Sequence, residues 1–277
     1  MKVRFGPAGI PPRCKGDTLA GISFVAGEGL NAFEVQWVKG VRLSETKALE
    51  AKEIARKNDV ELSAHAPYWI NCCSKEKGKI DITVRNLLQS VRIAKLMGAT
   101  CVVFHPGYYL GQSKEEALKS CLKTLELVFE RAKEAASLLS PETTGKPTQF
   151  GSLEEVLEIC SELGLKPTID FAHLHARDNG RFKSKKDYSR VFEIVENELG
   201  SKVVKNLHCH FSEVEFNEKG EKRHLNLFTK NSPPLKELLT LIVELGYAPT
   251  MICETPKLDE DALRMKELYE QLKGKRL

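Results

Sequence analysis

The sequence predicts an α/β fold, a (β/α)8 TIM barrel, and three observations carry that expectation. Short apolar runs alternate with helix-patterned stretches eight times along the 277 residues. No long linker or low-complexity segment divides them, so one domain is expected to span residues 1–277. Histidines and carboxylates stand at the downstream ends of the short runs, where the reactive face of a barrel lies. Right-handed parallel crossovers repeated in this way close most simply as a barrel. A doubly wound open sheet also fits the alternation, but it does not gather so many strand ends around one point.

Each unit follows from its own residues. Residues 3–8 form the first short run, with a helical stretch at 19–30 behind it. A second strand at 32–37 precedes a helix at 45–58, and a third at 60–66 precedes a helix at 82–97. In that last helix Val84, Leu87, Leu88, Val91 and Ala94 recur at helical spacing. A fourth strand at 101–105 leads to a long helix at 114–135, where Leu118, Leu122, Leu125 and Val128 share a face. The fifth strand, 137–142, leads to a helix at 152–163 that opens with Ser152 and Glu155 at capping-box spacing. Strands at 167–171, 203–211 and 248–254 then alternate with helices at 186–199, 234–245 and 260–272. Gly98, Gly164, Gly200 and Gly246 stand where helices stop.

Composition narrows the class. An apolar fraction of 42% supplies a large core. No apolar stretch approaches the roughly 20 residues of a membrane helix. The opening Met1-Lys2-Val3-Arg4-Phe5 lacks the apolar core of a secretory signal, so a cytoplasmic protein with no membrane partner is expected. The eight cysteines include no Cys-x-x-Cys pair, and Cys72 and Cys73 are adjacent. Buried reduced thiols are therefore expected, without disulfides or a thiolate zinc cluster. A net charge of +4 is too small to define a nucleic-acid partner. Gly145-Lys146 is followed by Pro147, which rules out a Walker-type phosphate loop.

Six successive strand ends carry side chains of metal-ligand type: His65, His105, Glu142, Asp170 with His173, His208, and Glu254. The first two strands are read as contributing none. One such residue alone would read as a hydrogen-bonded structural group, but six in one ring read as a site. Imidazoles and carboxylates buried together repel or stay undersatisfied without a cation. Their mixture suits zinc, or another divalent ion such as manganese, and the donors outnumber the four that one zinc takes. Two metals bridged by a carboxylate such as Glu142 would clamp the attacking and leaving oxygens of a phosphoryl displacement. Basic residues gather in loops after the third, sixth and seventh strands: Lys75, Lys77 and Lys79; Arg177, Arg181, Lys183 and Lys185; Lys219, Lys222, Arg223 and Lys230. Such a mouth suits phosphate contacts, although Glu213, Glu215, Glu218 and Glu221 dilute the last group.

The strand ends read His65-Ala66-Pro67-Tyr68, Phe104-His105-Pro106-Gly107, Ile169-Asp170-Phe171-Ala172-His173, Leu207-His208, Arg223-His224 and Glu254-Thr255. In this order they resemble endonuclease IV, the family of zinc-dependent apurinic/apyrimidinic endonucleases of base-excision repair, and the chain resembles a divergent member. The resemblance implies His65 and His105 on one zinc, with Glu142 bridging to a second that Asp170, His208 and Glu254 complete. It implies His173 and His224 on a third. Glu142 and Glu254 would be the catalytic carboxylates. Double-stranded DNA with abasic sites would be the partner of a monomeric enzyme, cut by metal-activated water on the 5′ side of the lesion. The products would be a 3′-hydroxyl and a 5′-deoxyribose phosphate. Tyr68, Gln36 and Arg223 would contact the DNA.

Two departures from that family stand out. Where it has an aspartate two residues before the last histidine, this chain has Lys222, with Glu221 adjacent. The first two zincs keep their ligands and the third lacks one. The loop after the second strand keeps Gln36-Trp37 but lacks the family's arginine. The alternatives are a sugar isomerase or epimerase, which rings one metal with Glu, Asp, His and Glu on the same barrel, or a catalytically weak DNA-binding relative. His175 and His210 receive no family role, and either could fill the gap left by Lys222 where the loops bring it close.

Overall fold

Lumen and helix layer are separated strand by strand in the computed structural model, which describes residues 2–275. Residues 1, 276 and 277 of the expected domain lie outside that range. The barrel strands are β1 (Arg4–Pro7), β2 (Ala32–Gln36), β3 (Glu61–His65), β4 (Val102–Phe104), β5 (Leu139–Pro141), β6 (Thr168–Asp170), β7 (His208–Phe211) and β8 (Thr250–Cys253). Parallel ladders join β2-β3-β4-β5 and β6-β7-β8-β1. Single parallel bridges, Ala8 to Glu34 and Glu142 to Thr168, join these two halves at both seams. The barrel is the expected one. At the first seam, a Cβ on Gly6 would lie 1.8 Å from the Ala32 carbonyl oxygen, so only glycine lets β1 approach β2 this closely.

Strand side chains alternate between the two faces. On β2, Phe33 and Val35 pack into the apolar layer beneath the helices, while Glu34 reaches β7 across the lumen. On β7, Cys209 and Phe211 are in the apolar layer and His208 and His210 face Glu34. The helices behind the first five strands are α1 (Thr18–Gly27), α2 (Glu45–Lys57), α3 (Lys77–Met97), α4 (Lys114–Ala132) and α5 (Leu153–Leu163). Ser113 with Glu116 and Ser152 with Glu155 close capping boxes on α4 and α5. Gly98 and Gly164 end α3 and α5 in the left-handed region.

The later units differ from expectation in two places that matter to the site. After β6 the chain turns at once into a short helix, α6 (Phe171–Arg177), ahead of α7 (Lys185–Leu199). Asp170 causes this turn, because its Oδ1 accepts the His173 backbone N–H at 2.7 Å and caps α6. After β7 the chain forms an antiparallel hairpin, Glu213–Asn217 with Gly220–Leu225, before α8 (Leu235–Leu245). The buried Glu213 carboxylate fixes the loop beyond it by accepting the backbone N–H groups of Phe228 and Thr229 at 2.6 and 3.1 Å. Helix α9 (Asp259–Gly274) follows β8. All eight cysteines are free thiols, seven of them buried. Among the described residues, no helix is long and apolar enough to cross a membrane.

Candidate metal centre

The carboxyl ends of the strands and the hairpin after β7 bring donors into three adjoining groups, and Glu34, His208 and His210 form a fourth one layer deeper. The first is His65, His105 and Glu142. His65 Nε2 and His105 Nε2 lie 3.2 and 3.0 Å from Glu142 Oε2. The middle group is Glu142, Asp170, His210 and Glu254. His210 Nδ1 lies 3.0 Å from Glu142 Oε1 and 3.4 Å from Glu254 Oε1. The third is His173, Glu221 and His224, with His173 Nε2 3.3 Å from Glu221 Oε2 and His224 Nε2 3.2 Å from Glu221 Oε1. Glu142 belongs to the first two groups, and Glu254 Oε2 reaches to 3.9 Å of His224 Nδ1 in the third. A cavity of about 470 Å³ opens over them, bordered by Gln36, Val38, Tyr68 and Leu258.

The electrostatics ask for cations. Burial pushes Glu254 up, but His210 beside it outweighs this and holds the carboxyl at about 2. Glu221 is likewise raised by burial, then brought down to about 2 by His224 and His173. Burial lowers His224, and Glu221 and Glu254 reverse this and lift it to about 9. Asp170 goes the other way. Burial raises its carboxyl to about 6, aided by Glu254 and Glu142 and opposed by His173. Its Oδ2 is buried without a hydrogen-bond donor, although His173 Nδ1 is 3.5 Å away. A buried oxygen left unbonded among carboxylates costs on the order of 1–3 kcal/mol, which a divalent ion at that point removes. The donor set of imidazole nitrogens and carboxylate oxygens, with no thiolate, fits zinc and also manganese.

The third group is completed by a β-bulge. Arg223 pairs with Glu215 and Glu221 pairs with Phe216, so Lys222 is an extra residue in the hairpin. In a regular strand Lys222 would share the inner face with His224. The bulge turns Lys222 and Arg223 together toward Glu215, at 3.8 and 2.9 Å, and turns Glu221 inward. The missing aspartate is thus replaced in space by the glutamate one residue earlier. Gly145 makes room for it, since a Cβ there would stand 2.7 Å from Glu221 Oε2.

Other residues named from sequence fall in different places. His208 is not in the middle group, where His210 stands; the two-residue period of β7 gives both histidines the same face, and His208 joins Glu34 and His210 in the deeper donor group. His208 Nε2 instead meets Glu34 Oε2 at 2.9 Å. The expectation that the first two strands contribute no ligand-type residue is corrected, since Glu34 on β2 is fully buried against His208 and His210. Burial would raise Glu34, and His210 and His208 hold it well below the usual carboxylate range. Its signal was the polar pair Glu34 and Gln36, two residues apart in an otherwise apolar strand. Gln36 donates Nε2–H to Glu34 at 3.0 Å and borders the cavity. Tyr68 lies over His65 with ring centroids 5.6 Å apart and is 56% exposed.

Arg223 lies on the outer side of the hairpin with Glu215, not on the cavity wall. Much of the expected basic mouth is committed elsewhere. Arg177 is turned into the protein, donating to the Lys146 and Gln149 carbonyls at 2.7 and 3.0 Å, and Arg181 and Lys185 pair with Asp178 and Glu244. His175 is structural. Its Nδ1 accepts from the Phe182 backbone N–H at 3.0 Å, its Nε2–H is 2.8 Å from Ser232 Oγ, and burial lowers it to about 4.

Residues 22–273 match the family of xylose isomerase-like TIM barrels, and the chain belongs to that family. It is 35% identical to a protein of uncharacterised function from Methanocaldococcus jannaschii, over 97% of this chain and 97% of that protein. It is 29% identical to a probable endonuclease 4 of Aster yellows witches'-broom phytoplasma, over 79% of this chain and 77% of that protein. The resemblance to endonuclease IV therefore extends well beyond the strand-end motifs. A solved D-tagatose 3-epimerase-like protein superposes with a TM-score of 0.72 over 93% of this chain and 94% of that one. At 21% identity that likeness is one of fold alone.

Proposed function

We propose that the protein is a metal-dependent endonuclease that hydrolyses the DNA phosphodiester on the 5′ side of abasic sites. The observation that carries this reading is the third donor group, His173, Glu221 and His224, beside a middle group of Glu142, Asp170, His210 and Glu254. A sugar isomerase or epimerase needs only the middle set. The sequence likeness to a probable endonuclease 4 supports the same choice. Zinc is the preferred ion and manganese the alternative, held by His65, His105 and Glu142, by the middle set, and by His173, Glu221 and His224.

Divalent ions, when held by these groups, would supply the Lewis acidity that a phosphoryl displacement requires. The side chains do the rest. Glu142 holds the first two groups in a fixed relation through one carboxylate. Glu254 lies between the middle and third groups and is ionised at neutral pH, so its oxygens can orient the O–H of an attacking water. His65, His173 and His224 are locked by donating Nδ1–H to the carbonyls of Ala66, Thr143 and Glu254. Tyr68, 56% exposed, and Trp69, 48% exposed, present aromatic surface on the rim for stacking where a base is missing. Gln36, on the strand beside β3, lines the same cavity and would meet the DNA next to Tyr68. The barrel would act as one domain and a monomer on double-stranded DNA in the cytoplasm.

The test is a duplex carrying one tetrahydrofuran abasic analogue, incubated with zinc-loaded protein. Incision 5′ to the lesion, leaving a 3′-hydroxyl, is expected. An intact duplex together with epimerisation of ketoses would reassign the site to sugar chemistry, and tight binding without incision would make it a DNA-binding relative.

A further inference from the structure

The histidines of the centre are not held alike. His65, His173 and His224 each spend Nδ1–H on a backbone carbonyl, at 2.7, 2.9 and 3.0 Å, and turn Nε2 toward a carboxylate of the site. His210 is reversed. Its Nδ1 faces Glu142 and Glu254, and its Nε2 faces Glu34 Oε1 at 3.1 Å. What holds it is a carboxylate with no exposed surface, one layer deeper in the barrel.

That carboxylate is itself fixed from several sides. Ser63 Oγ–H and Gln36 Nε2–H donate to it at 2.9 and 3.0 Å, and His208 Nε2 lies 2.9 Å away. Carboxylate oxygens accept, so the proton between His210 and Glu34 sits on His210 Nε2. Nδ1 faces the carboxylates of Glu142 and Glu254 as well, so without an ion it too would carry a proton. A cation among Glu142, Asp170 and Glu254 would replace that proton and take the Nδ1 lone pair. A histidine whose second nitrogen donates to a carboxylate is oriented and made a stronger metal donor. Three strands contribute, with β2 bringing Glu34 and Gln36, β3 bringing Ser63, and β7 bringing both histidines.

We propose that Glu34 is a positioning residue for the middle metal site, fixing His210 as an Nδ1 ligand with Nε2–H bound to the carboxylate below. His208 then belongs to the support of Glu34. This inference rests on the metal reading of the centre and adds a residue that does not touch the ion.

The experiment compares the wild-type protein with Glu34→Gln and Glu34→Ala, each shown to be folded by circular dichroism and thermal melting. Cobalt(II) titration of metal-stripped protein reads the number and affinity of ions through visible absorption. Long-range ¹H–¹⁵N spectra of the zinc-loaded proteins read which nitrogen of His210 carries the proton. In wild type, Nε2 of His210 should be protonated. Glu34→Ala should lose that fixed tautomer and bind one ion about 10- to 100-fold more weakly, with the number of ions at saturation unchanged. Glu34→Gln keeps an acceptor oxygen, so it should keep the tautomer and fall between the two in affinity. Unchanged affinity and tautomer in Glu34→Ala would overturn the proposal alone. Loss of a whole ion from Glu34→Gln would also overturn it, by making Glu34 a ligand. A wild-type protein that binds no cobalt would instead remove the metal reading itself.

Discussion

Glu221 is the residue on which the comparison with endonuclease IV turns. Its carboxylate meets both His173 and His224, while Lys222, which occupies the expected aspartate position in sequence, points to Glu215. Glu221→Gln is expected to remove one ion per chain from zinc-loaded protein, read by metal analysis, and to lower incision with it. Lys222→Ala is exposed and should change stability by no more than about 0.5 kcal/mol in denaturant titration, with the same metal content. A loss of the ion in Lys222→Ala but not in Glu221→Gln would reverse these assignments. Tyr68 is expected to act on DNA alone. Tyr68→Ala should weaken binding of an abasic duplex by about 1–3 kcal/mol, the range for a stacked base, without altering metal content. Unchanged binding by fluorescence anisotropy would leave Tyr68 as a cover over His65.

At the scale of the element, the hairpin after β7 decides whether a third group exists. Its bulge at Lys222 shifts Glu221 onto the inner face, so removing the extra residue should leave the carboxylate there. A deletion of Lys222 gives Glu221-Arg223-His224 in a regular strand, with Glu221 and His224 two places apart on one face. That variant should keep the same number of ions as wild type, whereas Glu221→Gln loses one. Loss of an ion on deletion would mean that the bulge itself is required. The same elements explain what could be read from sequence. The eight strands and most helices announced themselves through apolar runs, capping boxes and terminal glycines, and His65, His105, Glu142 and Glu254 through the ends of those runs. The hairpin carried no apolar run, and a bulge breaks the two-residue period on which side-chain direction is inferred. Helix α6 was hidden because Asp170 serves at once as strand end, helix cap and member of the middle group. His210 and Glu34 were missed for a different reason. They face a polar lumen from strands that look like buried core, where His208 and His210 satisfy the pattern equally.

For the whole molecule, the barrel concentrates carboxylates and imidazoles that only cations or protons can reconcile, and this sets its stability against pH. Glu221 and Glu254 are held at about 2, below their ordinary 4.5. Their contribution is present above 4.5 and fades as pH falls toward 2. His224 is raised from 6.5 to about 9, so its contribution is complete below 6.5 and is lost as pH rises through 9. Inside the 4.5–6.5 window Asp170, raised to about 6, favours the lower end and His175, lowered to about 4, the upper end, so the two oppose. Metal-stripped protein should therefore melt highest between 4.5 and 6.5, and added zinc should raise the melting temperature most above that window. Thermal melts in chelator across this range check it, and a metal-free maximum near pH 9 would contradict the charge assignment. The most direct measurement of the central claim is metal content by mass spectrometry on zinc-loaded protein after removal of free ion. Three ions per chain are expected, one each at the groups containing His65, Asp170 and Glu221, and two after Glu221→Gln. A single ion per chain in both proteins would contradict the account and leave a one-metal barrel of the sugar-enzyme kind.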